Sequence, residues 1–375
     1  MSKKLRRYVK KIQMTYARKG IRGLYGAVSA KAMFTALPTI YKNKVLRRMH
    51  HPKIRIAYLD LTNKCNLRCK MCTFQQMQER TGYMSKESFV SYVNQLADIG
   101  LDTISLSLGG ESLLHPEFKD FLRYVIQKRD QTGRIGSVLW TDNGMLFDRS
   151  IADLVVDLRV DQVNFSLDGI GKVNDDIRLG SKYSVIEKNI KYLLEKRGND
   201  RKPFVKLLVV DCGKTEEQKM EIYREWVHLV DEITLMPLIL SDNTIDNKEA
   251  FSKRLKTSPP PPFCEFPFIE MVISWDGKVT GCCLDYTFKL ALGDARKEPI
   301  KQIWNGSKFQ AFRKAALTNT FPVGSPCWKC EFWQVSFEPR IEPILDGKAE
   351  IEYGHIYRRV RRNPERKGQK TPVGL

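Results

Sequence analysis

No apolar run in the 375-residue sequence approaches the roughly 20 residues that a membrane-spanning helix requires, so no segment reads as an integral membrane span. No secretory signal peptide precedes the nine cysteines, and seven of them fall at ligand-like spacings. That combination argues against a disulfide scaffold and for thiolates that bind metal in a reducing compartment, the cytoplasm. Acidic residues are missing altogether from residues 1–50, which hold 14 Lys and Arg, while residues 354–375 hold 7 against Glu365 alone. The formal net charge of +20 therefore sits at the two ends, because residues 51–353 carry 42 basic and 42 acidic side chains. A neutral body without a nucleic-acid-binding motif argues against nucleic acid as a partner.

The basic start has a pattern of its own. Leu5, Tyr8, Val9, Ile12 and Tyr16 recur at helical spacing with Lys and Arg between them, which predicts a basic amphipathic helix. Such a helix can lie on an anionic membrane surface, where each Lys or Arg contributes about 1 kcal/mol. Peripheral contact at the inner membrane face through residues 1–50 is one reading, a solubilising extension across the bottom of the body a second, and an organelle transit peptide a third.

From residue 54 onward strands and helices alternate. Strands are predicted at 54–62, 103–108, 137–141, 162–167, 204–210 and 232–238, and helices at 85–99 (Ser85 as N-cap), 116–129, 148–158, 183–197 and 216–229. The implied α/β fold is a parallel sheet curved into an open, partial (β/α)6 TIM-like barrel, with chemistry at the C-terminal strand ends. The domains read as a basic extension (1–53), the barrel (54–240), a linker ending in four prolines (241–263), a small cysteine-centred module (264–335) and a basic tail (336–375) without periodicity beyond about 341. Within the module a hairpin is predicted at 268–282, turning at Asp276-Gly277, and one helix at 300–316.

Cys65, Cys69 and Cys72, separated by three residues and then two, offer an iron-sulfur cluster three thiolates and leave one iron open to a substrate or cofactor. Zinc is the alternative for Cys69 and Cys72. Directly after a first predicted strand, this loop resembles the signature of the radical S-adenosylmethionine superfamily. The resemblance implies that the open iron binds S-adenosylmethionine and that one-electron reduction, by reduced flavodoxin or ferredoxin, yields a 5'-deoxyadenosyl radical that takes hydrogen from substrate. Gly109-Gly110-Glu111 looks like the motif that cradles the methionine amino group. Ser166-Leu167-Asp168-Gly169, with Arg178 twelve residues after Ser166, resembles the ribose and carboxylate contacts. Asn143, in the turn Thr141-Asp142-Asn143-Gly144, and Met71, where an aromatic residue is commoner, complete the implied cofactor contacts. His115, beside the glycine motif, reads as opening the following helix.

Cys264, Cys282, Cys327 and Cys330 resemble the SPASM or "twitch" extension of the same superfamily, here with enough thiolates to saturate one further 4Fe-4S cluster. A zinc ribbon is the alternative. The spacing is similar to that of aminocyclitol dehydrogenases, which implies two 4Fe-4S clusters and oxidation of a small hydroxylated, carbohydrate or cyclitol-like substrate, with the second cluster accepting an electron. Lipid linkage of that substrate is an extension suggested by the basic start. Cys212 and Cys283 remain as candidate hydrogen donors; a donor cysteine would make the outcome epimerisation instead. Ribosomal-peptide modification is another reading, although no winged-helix domain of the usual size fits ahead of residue 54, and a non-catalytic iron-sulfur or nucleic-acid-binding protein is the reading of another class.

Overall fold

The computed structural model describes residues 52–72, 81–212, 214, 216–237, 264–328, 330, 340–343 and 355–358. The amphipathic segment predicted in 1–50 and the linker at 241–263 lie outside them.

Period-two alternation builds the sheet. The strands are β1 (Ile56–Leu59), a short β2 (Arg68–Cys69), β3 (Leu101–Ser105), β4 (Ile135–Asp142), β5 (Gln162–Ser166), a short β6 (Arg178–Leu179), β7 (Phe204–Asp211) and β8 (Glu232–Pro237). Ala57, Ile104, Trp140, Phe165, Leu207 and Ile233, one from each long strand, are at most 2% exposed. They form the outer face, covered by α1 (Lys86–Ile99), α2 (Phe118–Thr132), α3 (Arg149–Asp157), α5 (Tyr183–Arg197) and α6 (Glu216–Trp226), with α4 (Lys172–Ile177) a short insertion. Phe118 of α2 meets Trp140 edge to face, with centroids 5.2 Å apart. Each large side chain buried in this layer contributes about 1.5–3 kcal/mol.

Local signals set the helix ends. Ser85 accepts the Ser88 N–H at 3.2 Å and Asp148 that of Ile151 at 3.0 Å, as N-caps should. His115 opens α2 as predicted: its Nδ1 accepts the Glu117 N–H at 3.1 Å, which leaves Nε2 to donate to the Met84 carbonyl at 2.9 Å.

The six long strands run β1-β3-β4-β5-β7-β8, each parallel to the next, in the partial barrel expected. The barrel does not close. On the free edge of β1 the C-terminal module adds β9 (Glu270–Ile273) in parallel, following α7 (Phe266–Ile269), and then the antiparallel β10 (Lys278–Thr280) and β11 (Gly293–Asp294). On the other edge β8 pairs antiparallel with β13 (His355–Arg358), which pairs with β12 (Arg340–Pro343), so the tail supplies strands where the sequence predicted none. The helix predicted at 300–316 is two, α8 (Ile300–Asn305) and α9 (Ser307–Thr318), broken at Gly306. The module is pinned to the barrel by Trp304 Nε1 donating to the Pro52 carbonyl at 2.8 Å and by the Ile300 N–H donating to Gln95 at 2.9 Å. Among the described residues no helix is long and apolar enough to cross a membrane.

Candidate functional site

The cysteine loop leaves the C-terminal end of β1 and is held mainly through its backbone. Strands β2 and β6 pair antiparallel, Arg68 with Leu179 and Cys69 with Arg178, and the Lys70 N–H donates to the Ile177 carbonyl at 2.9 Å. On the other side the Glu111 N–H donates to the Lys64 carbonyl at 2.7 Å. Gly110 lies so close to this segment that a Cβ would stand 2.1 Å from the Thr62 oxygen and 2.6 Å from that of Lys64. The glycine predicted to admit a ligand thus also admits the loop itself.

Glu111 has its carboxylate occupied by protein. Oε1 accepts the Leu113 N–H at 3.2 Å and Oε2 that of Asn143 at 2.9 Å, with Asp142 hydrogen-bonded beside them. Burial and the neighbouring Asp142 carboxyl push Glu111 well above the carboxylate range, and burial pushes Asp142 up to about 6, so the pair retains a proton near neutrality. Through these bonds Glu111 ties the glycine motif to the 141–144 turn. The side chain of Asn143 reaches back to the cysteine loop, donating to Asn66 Oδ1 at 2.8 Å. Below the motif, buried Asp60 accepts the Gly109 N–H at 3.1 Å. Burial raises its carboxyl to about 7 against the lowering effect of the Gly109 and Gly110 N–H groups.

Arg178 is buried against the loop, its Nε donating to Asp168 Oδ2 at 2.7 Å. Ser166 ends β5, half-buried, and Met71 is half-buried between Lys70 and the exposed Cys72. Cys212 follows β7 near Arg178.

The second cysteine set gathers at the β9–β10 end of the sheet. Cys264 and Cys330 lie within electrostatic reach of each other, as do Cys327 with both and Cys282 with Cys264. Cys283 sits one residue beyond Cys282, its N–H donating to Glu270 Oε2 at 3.2 Å and its thiol hydrogen-bonded with Tyr58 and Glu270. Burial pushes the Glu270 carboxyl up to about 7.

The face of the sheet opposite the helices is mixed, with Leu139, Leu208, Val210 and Met236 among its polar side chains. Tyr58, Ser105, Thr141, Asn164, Lys206 and Glu232, one from each long strand, alternate with the apolar outer row, and the last four stand in register. Lys206 Nζ lies 2.8 Å from Glu232 Oε1, and Asn164 Nδ2 donates to Thr141 Oγ1 at 3.3 Å. Closed eight-stranded barrels fill this space with branched apolar side chains; here the row from Thr141 to Glu232 sets hydrogen-bonding groups among the apolar ones. A surface cleft between α1 and α8, bordered by Lys53, Gln95, Arg134 and Trp304, lies at the opposite strand ends and holds none of the predicted site residues.

The two cysteine sets offer thiol donors of the kind iron-sulfur clusters take, although among the described residues no three His, Cys, Asp or Glu side chains stand close enough together to hold a metal ion. Burial pushes Cys65 and Cys69 above their ordinary range, the latter against the lowering effect of Arg178, and lifts Cys264 to about 12. Crowded thiols of this kind become thiolates only beside a compensating cation such as cluster iron. Three donors would hold the first cluster and four the second.

Residues 59–225 match the family model described as the radical SAM superfamily and residues 264–331 that of SPASM, an iron-sulfur cluster-binding domain. The chain belongs to the radical S-adenosylmethionine superfamily and carries a SPASM module, which brings a 4Fe-4S cluster, S-adenosylmethionine and additional iron-sulfur. It is similar to a tungsten-containing aldehyde ferredoxin oxidoreductase cofactor-modifying protein of Pyrococcus furiosus, 25% identical over 73% of this chain and 87% of that one. It is also similar to an Fe-coproporphyrin III synthase of Methanosarcina barkeri, 24% identical over 80% of this chain and 86% of that one. Streptococcus suis SuiB bound to precursor peptide SuiA shares the fold, with a TM-score of 0.58 at 14% identity over 78% of this chain and 73% of that one.

Sequence reading missed Tyr58, Asn66, Lys206, Glu232 and Glu270. The alternation in Ile56–Leu59 and Glu232–Pro237 marks Tyr58, Glu232 and Thr234 as sharing a face opposite the apolar row, but only the register shows that the faces join.

Gly110→Ala is expected to lower iron bound at the first site while leaving far-ultraviolet circular dichroism unchanged, because the new methyl must displace the cysteine-loop backbone. Iron per chain and circular dichroism on reconstituted protein check this. Asp60 gives a pH signature. Its folded pKa lies above the ordinary 3.8 of an aspartate, so its contribution to stability is complete below that pH and is lost as pH rises to about 7. Denaturant midpoints of the wild type should fall as pH rises from about 4 to about 7 and level off above it, and Asp60→Asn should flatten that slope.

Proposed function

We propose that this enzyme dehydrogenates a small hydroxylated, carbohydrate or cyclitol-like substrate bound against the row of hydrogen-bonding groups on the inner face of the partial barrel. The observation that carries the reading is the inward row from Tyr58 to Glu232: its hydroxyl, amide and charged groups suit a molecule whose own surface is hydroxyls. When bound, the two cofactor sets supply one-electron chemistry, hydrogen-atom abstraction at the first and an electron sink at the second, with reduced flavodoxin or ferredoxin as donor. Asn164 and Lys206 orient the substrate by hydrogen bonds. Glu270, with a proton affinity near neutrality, takes the proton released as the hydroxyl-bearing carbon becomes a carbonyl.

The test offers reconstituted enzyme, S-adenosylmethionine and reduced flavodoxin a panel of inositols and aldoses. Expected are stimulated 5'-deoxyadenosine release and a product lighter by two hydrogens. Asn164→Leu and Lys206→Met should each lower the stimulated rate about tenfold, the scale of one lost hydrogen bond in a closed site, with substrate-free cleavage unchanged. Stimulation by peptides and by no polyol would overturn the substrate class.

A second reading, epimerisation, is favoured by the placement of Cys283 beside Tyr58 on the inner face. In deuterated water an epimerase would place deuterium on the substrate carbon and lose turnover in Cys283→Ala. Dehydrogenation predicts neither.

A further inference from the structure

Cys69 and Arg178 are paired across the β2–β6 ribbon, so the backbone register itself brings this guanidinium to a cluster-ligating sulfur. Arg178 Nη1 lies 3.9 Å from Cys69 Sγ with hydrogen-bonding geometry, while its Nε is tied to Asp168 Oδ2 at 2.7 Å. Asp168 cannot swing away. It is fully buried, its Oδ1 accepts the Val210 N–H at 2.6 Å, and its own N–H donates to Asn174 Oδ1 at 3.0 Å. Lys214, also buried, places its Nζ 3.8 Å from Asp168 Oδ1. Two cations thus meet one carboxylate at this edge of the cysteine loop.

We propose that Arg178, held by Asp168, is a positioning residue that sets the reduction potential of the cluster on Cys65, Cys69 and Cys72, by donating an N–H to the Cys69 sulfur and keeping positive charge beside it. Adding an electron makes a thiolate-held cluster more negative, and a hydrogen bond to a ligand sulfur or a nearby cation favours that state, raising the potential. Arg178 therefore makes the first electron easier to accept. This role needs neither substrate nor S-adenosylmethionine, which separates it from the carboxylate contact that the family resemblance implies for the same side chain, and from the dehydrogenation proposed above.

The test is a redox titration of reconstituted protein, followed by electron paramagnetic resonance, without S-adenosylmethionine or substrate. The first cluster's signal is the one absent from the triple variant Cys65→Ala, Cys69→Ala, Cys72→Ala. Arg178→Met is expected to make reduction about tenfold less favourable, about 59 mV lower for one electron. Asp168→Asn, which removes the negative charge and keeps an acceptor, is expected to move the potential the other way. Opposite shifts support the proposal, since general loosening of the loop would move both variants together. An unmoved potential in both, at wild-type iron content, or shifts of the same sign, would overturn it. Should Arg178→Met fail to hold iron, Arg178→Lys decides: a smaller drop is expected because the charge stays while the planar fork is lost, and an unchanged potential overturns the proposal.

Discussion

Three sulfurs can hold a cluster with one iron open only if the loop carrying them keeps its shape, and here that shape rests on main-chain hydrogen bonds. One flank is stitched to β6 and the other to the turn after β3, with Gly110 so near that no side chain fits between. Polar residues around the loop extend the bracing. Glu111 joins two turns, Asn143 reaches Asn66, and Asp60 carries the glycine motif. Several groups that resemble cofactor contacts in sequence are thus partly consumed in holding the loop.

The two faces of the sheet divide the labour of stability and recognition. The outer face is apolar and sealed by helices, so hydrophobic burial there can stabilise the fold without help from the inside. Relieved of that task, the inner face can carry polar groups among its apolar ones. Its groups are paired with one another, Lys206 with Glu232 and Asn164 with Thr141, which limits the cost of placing them in a half-closed space.

The barrel was largely legible in the sequence because most of its strands alternate and several helices carry an end signal, as at Ser85, Asp148 and His115. The two cysteine sets were legible from spacing. Less legible was anything decided by register. The β2–β6 ribbon contains two residues in each strand, too few for a period to show, yet it is what brings Arg178 to Cys69. Glu270 looks like one charge in an apolar run, and only the pairing of β9 with β1 places it near Tyr58. The helix break at Gly306 was missed because the apolar spacing continues across it. Tail strands β12 and β13 are short and borrow their order from β8.

The parallel pairing of β9 with β1 also bears on how freely the two family domains can be separated. Strand β1 is apolar on its outer side and is followed closely by the cysteine loop. Without the C-terminal module its backbone N–H and C=O groups would face solvent as a raw sheet edge, the kind that recruits strands from other chains. The SPASM module therefore acts as the cap on an adhesive edge as well as a holder of iron, and a barrel cut away from it would tend to assemble with copies of itself.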